Sequence, residues 1–310
     1  PGAQDIDVVP NSGETLRVND YFGHGVDINN NRLVVGASGG EGKDDVTGTR
    51  FGEVHIFPIN HYEVADGSAF QTTDASTNSV NGATYDRDIT IWPSTIVAIL
   101  SGGTAVTLQA NQDITVSEAI TAANGSGDGG HLTMQAGRSI DINANITTDN
   151  GALTLSANDT SALNTGITIG TASIDTTGAT ITTGTGALSA TVATSGYHAS
   201  GNITLAAIST TGTVTLNTPG NASVVNAVAL DLGASTIGGN LVATAVLGGI
   251  TDAGVLTITG ASAFTTNADD ADINLNNTSN EFTSAVTITT NGTSGDATIS
   301  AGSSAGLIFA

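Results

Sequence analysis

Asp269, Asp270 and Asp272 place three carboxylates within four residues, just ahead of the strand-like run Ile-Asn-Leu at 273–275. Calcium takes carboxylate and carbonyl oxygens, so these residues are a candidate calcium site; a solvated acidic turn is the preferred reading. Asp27, Asn29 and Asn31 have the i, i+2, i+4 spacing of a calcium loop. Leu-Val-Val-Gly follows at 33–36 too soon, and the later carboxylate of such a loop is missing, so a hairpin turn is the competing reading. Glu41, Asp44 and Asp45 read as another acidic turn. Calcium is thus the one cofactor with candidate residues, and no cofactor is required.

Catalytic patterns are missing. His24, His55, His61, His131 and His198 are scattered, without metal-site spacing. No Ser stands in a nucleophile elbow, and no Walker or Rossmann glycine pattern links a strand to a helix. Polysaccharide lyases need a basic residue or cations to neutralise uronate charge. All six basic residues (Arg17, Arg32, Lys43, Arg50, Arg87, Arg138) lie in the first 138 positions, and the remaining 172 hold none. No convincing carboxylate pair for glycoside hydrolysis is visible. These observations exclude the usual enzyme classes, and the chain reads as a non-enzyme.

Three further signals have plain readings. The turn Gly125 to Gly130 has the texture of a calcium-binding nonapeptide, but it has no tandem copy. Asn-x-Ser/Thr triplets, as at Asn145, Asn202 and Asn291, are expected by chance in so Asn- and Thr-rich a chain. Trp92 with Pro93 reads as a buried aromatic cap at the start of the repeats.

What must position these residues is a strand-built frame. Aromatic residues are 4% of the chain and there is one Met. The core is therefore Val, Ile, Leu and Ala, which suits a thin interior one or two side chains across. The pair Leu/Val-Thr-x-Gln-Ala then x-Ile-x-Ile/Val occurs at 106 and 113 and again at 132 and 139, an offset of 26 residues, and a third first half begins 21 residues later at 153. Further runs follow at 203–205, 214–216, 256–258, 273–275, 286–288 and 297–299. Each alternates apolar with polar residues, the period of a strand with one buried face, and turn residues separate them. No helical pattern survives, because Gly interrupts the candidate windows.

Repeats of this length permit an antiparallel sandwich or propeller, or a parallel solenoid. The solenoid is preferred because stacking would put Ile on Ile, Thr on Thr and Asn on Asn. At roughly 22 residues a coil it predicts about ten coils and a rod about 50 Å long. Three segments are expected: residues 1–60 as a small β unit for capping or docking, 61–85 as a linker, and 86–310 as an all-β solenoid.

A net charge of −22 opposes contact with nucleic acid and anionic membranes. No stretch of about 18 apolar residues exists for membrane insertion. There is no Cys, so no disulfide or Cys-ligated metal. Without an initiator Met or a signal-like start, the chain reads as a mature or trimmed product.

Residues 105–158, with Leu-Thr-Met-Gln-Ala-Gly-Arg-Ser-Ile-Asp-Ile-Asn at 132–143, resemble the repeats of filamentous-haemagglutinin-type bacterial adhesins. The stretches 230–241 and 248–260 are similar to the same family. The resemblance rests on repeat texture over about 86–310, and that family's secretion-targeting domain is not recognisable. It implies a right-handed parallel β-helix, secretion to the cell surface, and adhesion to a host-surface or matrix glycan or protein. Tyr-Phe-Gly-His-Gly-Val-Asp at 21–27 and Phe-Gly-Glu-Val-His-Ile-Phe at 51–57 look like one FG-GAP repeat, a propeller-blade unit whose loop often binds calcium. One copy cannot close a propeller, so a capping or docking role is expected.

The resulting expectation is a structural fibre or adhesin segment, stacking on copies of itself end to end. The alternative is a glycan- or ice-binding face. Thr-x-Thr at 183/185, 213/215 and 257/259 motivates it, although the spacing is irregular.

Overall fold

A computed structural model describes the strands Tyr21–Asn29, Arg32–Ser38, Glu53–Pro58 and Phe70–Gln71, and residues 91–309 apart from 111, 161–170, 195–197, 199 and 303–306. The chain forms two compact units, Pro1–Asn60 and His61–Ala310. In the first, three strands make an antiparallel sheet in chain order, with Asn29 opposite Arg32 and Leu33 opposite Phe57. The expected linker lies outside the described residues except for Phe70–Gln71, which pairs antiparallel with Ile114–Val116.

The second unit is a parallel β-solenoid. Nine strands stack into one long sheet among the described residues: Val106–Ala110, Leu132–Ala136, Leu153–Ala157, Leu188–Val192, Val214–Thr218, Leu230–Leu232, Ile250–Asp252, Ile273–Leu275 and Ala297–Ile299. Each begins one coil. A second long sheet runs from Ile114–Val116 through Ile140–Ile142, Ala172–Asp175, Gly201–Thr210, Ala222–Asn226, Leu241–Ala245, Ser262–Asp269 and Ala285–Asn291 to Ile308–Phe309. All these pairings are parallel.

A short third side closes most coils, and it changes place. In the first three coils it is Ile120–Thr121, Ile146–Thr147 and Ile181–Gly184, which merges into the long strand Gly201–Thr210. From the sixth coil it is Ser235–Ile237, Leu256–Ile258 and Glu281–Phe282, which grows from the end of Val214–Thr218.

Alternation produces the core. In Leu132–Ala136 and Leu153–Ala157, residues one, three and five are buried and two and four are not. Stacking then puts like on like: Ile114, Ile140, Ile174 and Ile203 form one apolar column, and Ile120, Ile146, Ile181 and Ile208 another. Turn glycines occupy places where coils touch backbone to backbone. A Cβ on Gly151 would fall on the carbonyl of Gly130, and one on Gly186 on that of Gly151.

Three expectations are corrected. The coil length is not constant near 22: Leu188 lies 35 residues after its partner Leu153, and Leu232 lies 18 after Val214. Turns lengthen freely because only the strand positions must match. Nine coils among the described residues, at about 4.8 Å each, give a stack about 43 Å tall, not 50 Å. Second, Pro93–Ser101 is an α-helix. Pro93 sits at the start, where its missing N–H costs nothing. Gly102 follows the end, its N–H donating to the carbonyls of Ala98 and Ile99. Pro93, Ile96 and Leu100 bury one face, so the helix closes the first coil. Third, Trp92 is not the buried cap. It is 48% exposed beside the helix that does the capping.

Candidate functional site

The acidic candidates serve coil stacking. The Asp270 carboxylate accepts the backbone N–H groups of Thr293 and Ser294 at 2.8 Å each, and Asp272 accepts that of Asp296 at 2.9 Å. The Asp269 carboxylate accepts the Asn291 side-chain amide at 2.7 Å. All three therefore point to the next coil, each at a different donor. Among the described residues no three His, Asp or Glu side chains gather as a metal-holding group. Asp27 and Asn29 lie in the strand Tyr21–Asn29, opposite Val34 and Arg32. Asn31 and the acidic stretch Glu41, Asp44 and Asp45 lie outside the described residues.

Of the histidines, His131 accepts the Ala152 N–H through Nδ1 at 2.9 Å. His198 is buried, with its backbone N–H on Asn158 Oδ1 and its Nε2 unpartnered. His24 and His55 lie in the antiparallel strands, and His61 outside the described residues. The turn Gly125 to Gly130 is an ordinary one: Ser126 folds back on Asn124, and the Asn150 amide of the next coil donates to the Gly127 carbonyl.

Two external arrangements escaped the sequence reading. The first is an asparagine ladder. Asn202, Asn221 and Asn240 are all exposed, one above another, and each Oδ1 accepts the backbone N–H of the next position up: Asn221 at 2.8 Å, Asn240 at 2.8 Å and Ala261 at 2.9 Å. The signal was present as Gly201-Asn202, Gly220-Asn221 and Gly239-Asn240, spaced 19 residues apart. The second is an ionic corner. Asp113, 8% exposed, receives Arg138 through Nε at 2.8 Å and through its second guanidinium nitrogen, and also the Ser139 N–H at 2.9 Å. Aligning the two copies at their 26-residue offset would have placed these residues on adjacent coils.

Beside this corner, Asp141 stands in register with Asp175 on the next coil. Partial burial pushes the Asp141 carboxyl above its ordinary value of 3.8, and the charges of Asp113 and Asp175 push it further; Arg138 opposes them. A raised folded value means that the favourable contribution is complete below 3.8 and is lost as pH rises through the folded value. Asp141→Asn should therefore raise the melting temperature at neutral pH. The gain should be at most about 1 kcal/mol, since water screens a half-exposed charge. It should vanish below 3.8, and paired thermal melts across that range check it. A gain that persists in acid contradicts the like-charge account.

The Thr-x-Thr pairs are not one array. Thr183 is turned inward, donating its hydroxyl to the Gly186 carbonyl at 2.8 Å, and Thr213 contacts Asp231. A different column does line up: Thr107, Thr133, Thr154, Ser189 and Thr215, flanked by Gln109, Gln135, Ser156, Thr191 and Asn217. Gln109 donates to Gln135 across the coils at 2.7 Å. These strand positions hold no charged side chain over five coils, and the Asp159 carboxylate borders them, accepting the Gln135 amide at 3.2 Å.

No helix among the described residues is long and apolar enough to cross a membrane. Residues 16–57 match the FG-GAP repeat family, and residues 219–289 match a family described as repeats of unknown function. No curated protein and no solved structure matches the chain. The amino-terminal unit thus contains an FG-GAP repeat, and the solenoid contains a second, uncharacterised repeat.

Proposed function

We propose that this chain is a structural segment of an extracellular surface fibre of the filamentous-haemagglutinin type, and that it works without turning over a substrate. The observation that carries this reading is where the side chains go. Inward residues form continuous apolar columns, and outward Asn, Thr, Gln and Asp side chains bond the coil above. Side-chain ladders of this kind stiffen a rod along its axis. End-to-end stacking of copies extends the same geometry, because a parallel edge strand such as Ala297–Ile299 accepts another parallel strand in register. A −22 charge keeps such rods apart sideways, and the absence of Lys and Arg beyond Arg138 protects them from trypsin-like proteases. Secretion and adhesion follow from that use.

Electron microscopy and small-angle scattering of the purified chain over rising concentration test this reading. Rods that lengthen by whole multiples of the monomer are expected. Compact particles of constant size at every concentration would overturn it.

The stacked Thr/Ser/Gln positions support a second reading, a surface for a neutral glycan or for ice. Glycan-array binding or inhibition of ice recrystallisation, abolished by Thr154→Lys, is its expected signature.

A further inference from the structure

Three Asn-Gly pairs lie among the described residues, at Asn124, Asn150 and Asn291. In such a pair the glycine nitrogen can attack the asparagine side-chain carbonyl, and whether it does depends on how firmly the fold holds both groups. Asn150 is held on every side. Its Oδ1 accepts the Thr185 N–H at 2.9 Å and the Thr185 hydroxyl at 3.2 Å, and its Nδ2 donates to the Gly127 carbonyl at 2.8 Å. Gly151 is buried, and its N–H is committed to the Thr148 carbonyl at 3.2 Å. Asn124 is closed into its own turn: its Oδ1 accepts the N–H and the hydroxyl of Ser126, and its Nδ2 donates to the Ser101 carbonyl.

Asn291 differs. It and Gly292 are exposed, and Gly292 has a φ of 85°, a conformation suited to glycine, at a place where a Cβ would clash with Asp270. The Asn291 side chain is held through Nδ2, which donates to the Asn267 carbonyl at 3.0 Å and to Asp269 Oδ1 at 2.7 Å. A carboxylate therefore touches the nitrogen that must depart. We propose that Asn291-Gly292 is a site of spontaneous deamidation assisted by Asp269, and that the product loosens the eighth coil, which begins at Ile273.

The steps balance without any co-reactant but water. The Gly292 nitrogen forms a bond to Asn291 Cγ, giving a tetrahedral intermediate. Water takes the proton released from the Gly292 nitrogen and passes it to the Asp269 carboxylate, which delivers it to Nδ2, the nitrogen it touches at 2.7 Å. The Cγ–Nδ2 bond breaks and ammonia leaves, so that a succinimide remains. Water then opens the ring to an aspartate or isoaspartate at position 291. The new carboxylate faces the Asp269 carboxylate and the Asn267 carbonyl, where a donor stood before. That removes a bond and adds a like-charge contact beside the turn in which Asp270 holds Thr293 and Ser294.

The test incubates the intact chain at mildly alkaline pH. Peptic peptides are then followed by mass spectrometry for amide-to-acid conversion at each Asn-Gly pair. Asn291 should convert about tenfold faster than Asn150 or more, because Asn150 reacts only after a local opening that breaks several hydrogen bonds. Asp269→Asn should slow Asn291 several-fold and leave Asn124, in a distant coil, unchanged; the unchanged rate also certifies that the variant is folded. Asn291→Asp should show faster amide exchange at Thr293 and Ser294 than the parent. Conversion at Asn150 as fast as at Asn291, or an Asn291 rate that ignores Asp269→Asn, overturns the proposal.

Discussion

Phe264→Ala should lower the stability of the solenoid by about 3–5 kcal/mol, the range for emptying a fully buried phenylalanine site. Phe264 is the widest side chain in its column, stacked between Ala243 and Ile288, and it is completely buried. It meets Phe282 edge to face, ring centres 6.1 Å apart and planes at 86°. Such a pair adds about 0.5–1.5 kcal/mol beyond the area it buries. Phe282→Ala should therefore cost less in the Phe264→Ala background than in the parent, by that amount. Denaturant unfolding of the four proteins gives the coupling directly.

The site of the loss also matters. Each coil touches only its neighbours, so stability is nearly a sum of coil and interface terms. Phe264 belongs to the seventh coil and Phe282 to the eighth. Breaking that interface should detach the last coils before the rest, and the single transition should split in two. Fluorescence of Trp92, beside the capping helix, should follow the later phase. A shift of one unbroken transition would mean that the coils are coupled more tightly than nearest-neighbour contacts allow.

The stacking principle was legible from alternation and from the 26-residue offset. Leu132 sits on Val106, and Gln135 on Gln109, as the paired runs imply. What was illegible has three physical causes. Nearness along the chain is not convergence in space: Asp269, Asp270 and Asp272 are close in sequence, yet each carboxylate engages a separate donor on the coil above. A short helix leaves little periodicity to read. Between Pro93 and Gly102 only Pro93, Ile96 and Leu100 mark the buried face, and the flanking Gly looked like an interruption when it was the terminus. Alternation also fails at corners. Thr148 and Thr183 turn inward because each hydroxyl donates to the glycine carbonyl three residues on, an option no hydrophobicity pattern reports. The same Thr-x-x-Gly spacing, at 148–151 and 183–186, would have given those corners away.

Arg138→Met should cost about 2–3 kcal/mol, although the guanidinium is partly exposed. The reason is the carboxylate it leaves behind. Asp113 sits at the turn into the second long sheet, nearly closed to water, and Arg138 grips both of its oxygens. That hydrogen bonding is the main cause that raises the arginine's own pKa, with burial working against it. Methionine keeps the packing of the alkyl stem and removes only the cation. Asp113 then retains the Ser139 N–H without its counter-charge, beside Asp141 and Asp175. Adding Asp113→Asn should recover a large part of the loss, because removing both charges avoids a stranded one. Asp141 would also lose the one charge holding its pKa down, so Arg138→Met should be least harmful in acid, where that carboxyl is protonated. Urea unfolding of the two variants at neutral and acid pH separates these effects. If Arg138→Met lies within about 0.5 kcal/mol of the parent at neutral pH, the pair behaves as an ordinary surface contact, and the corner owes its stability to the coil hydrogen bonds alone.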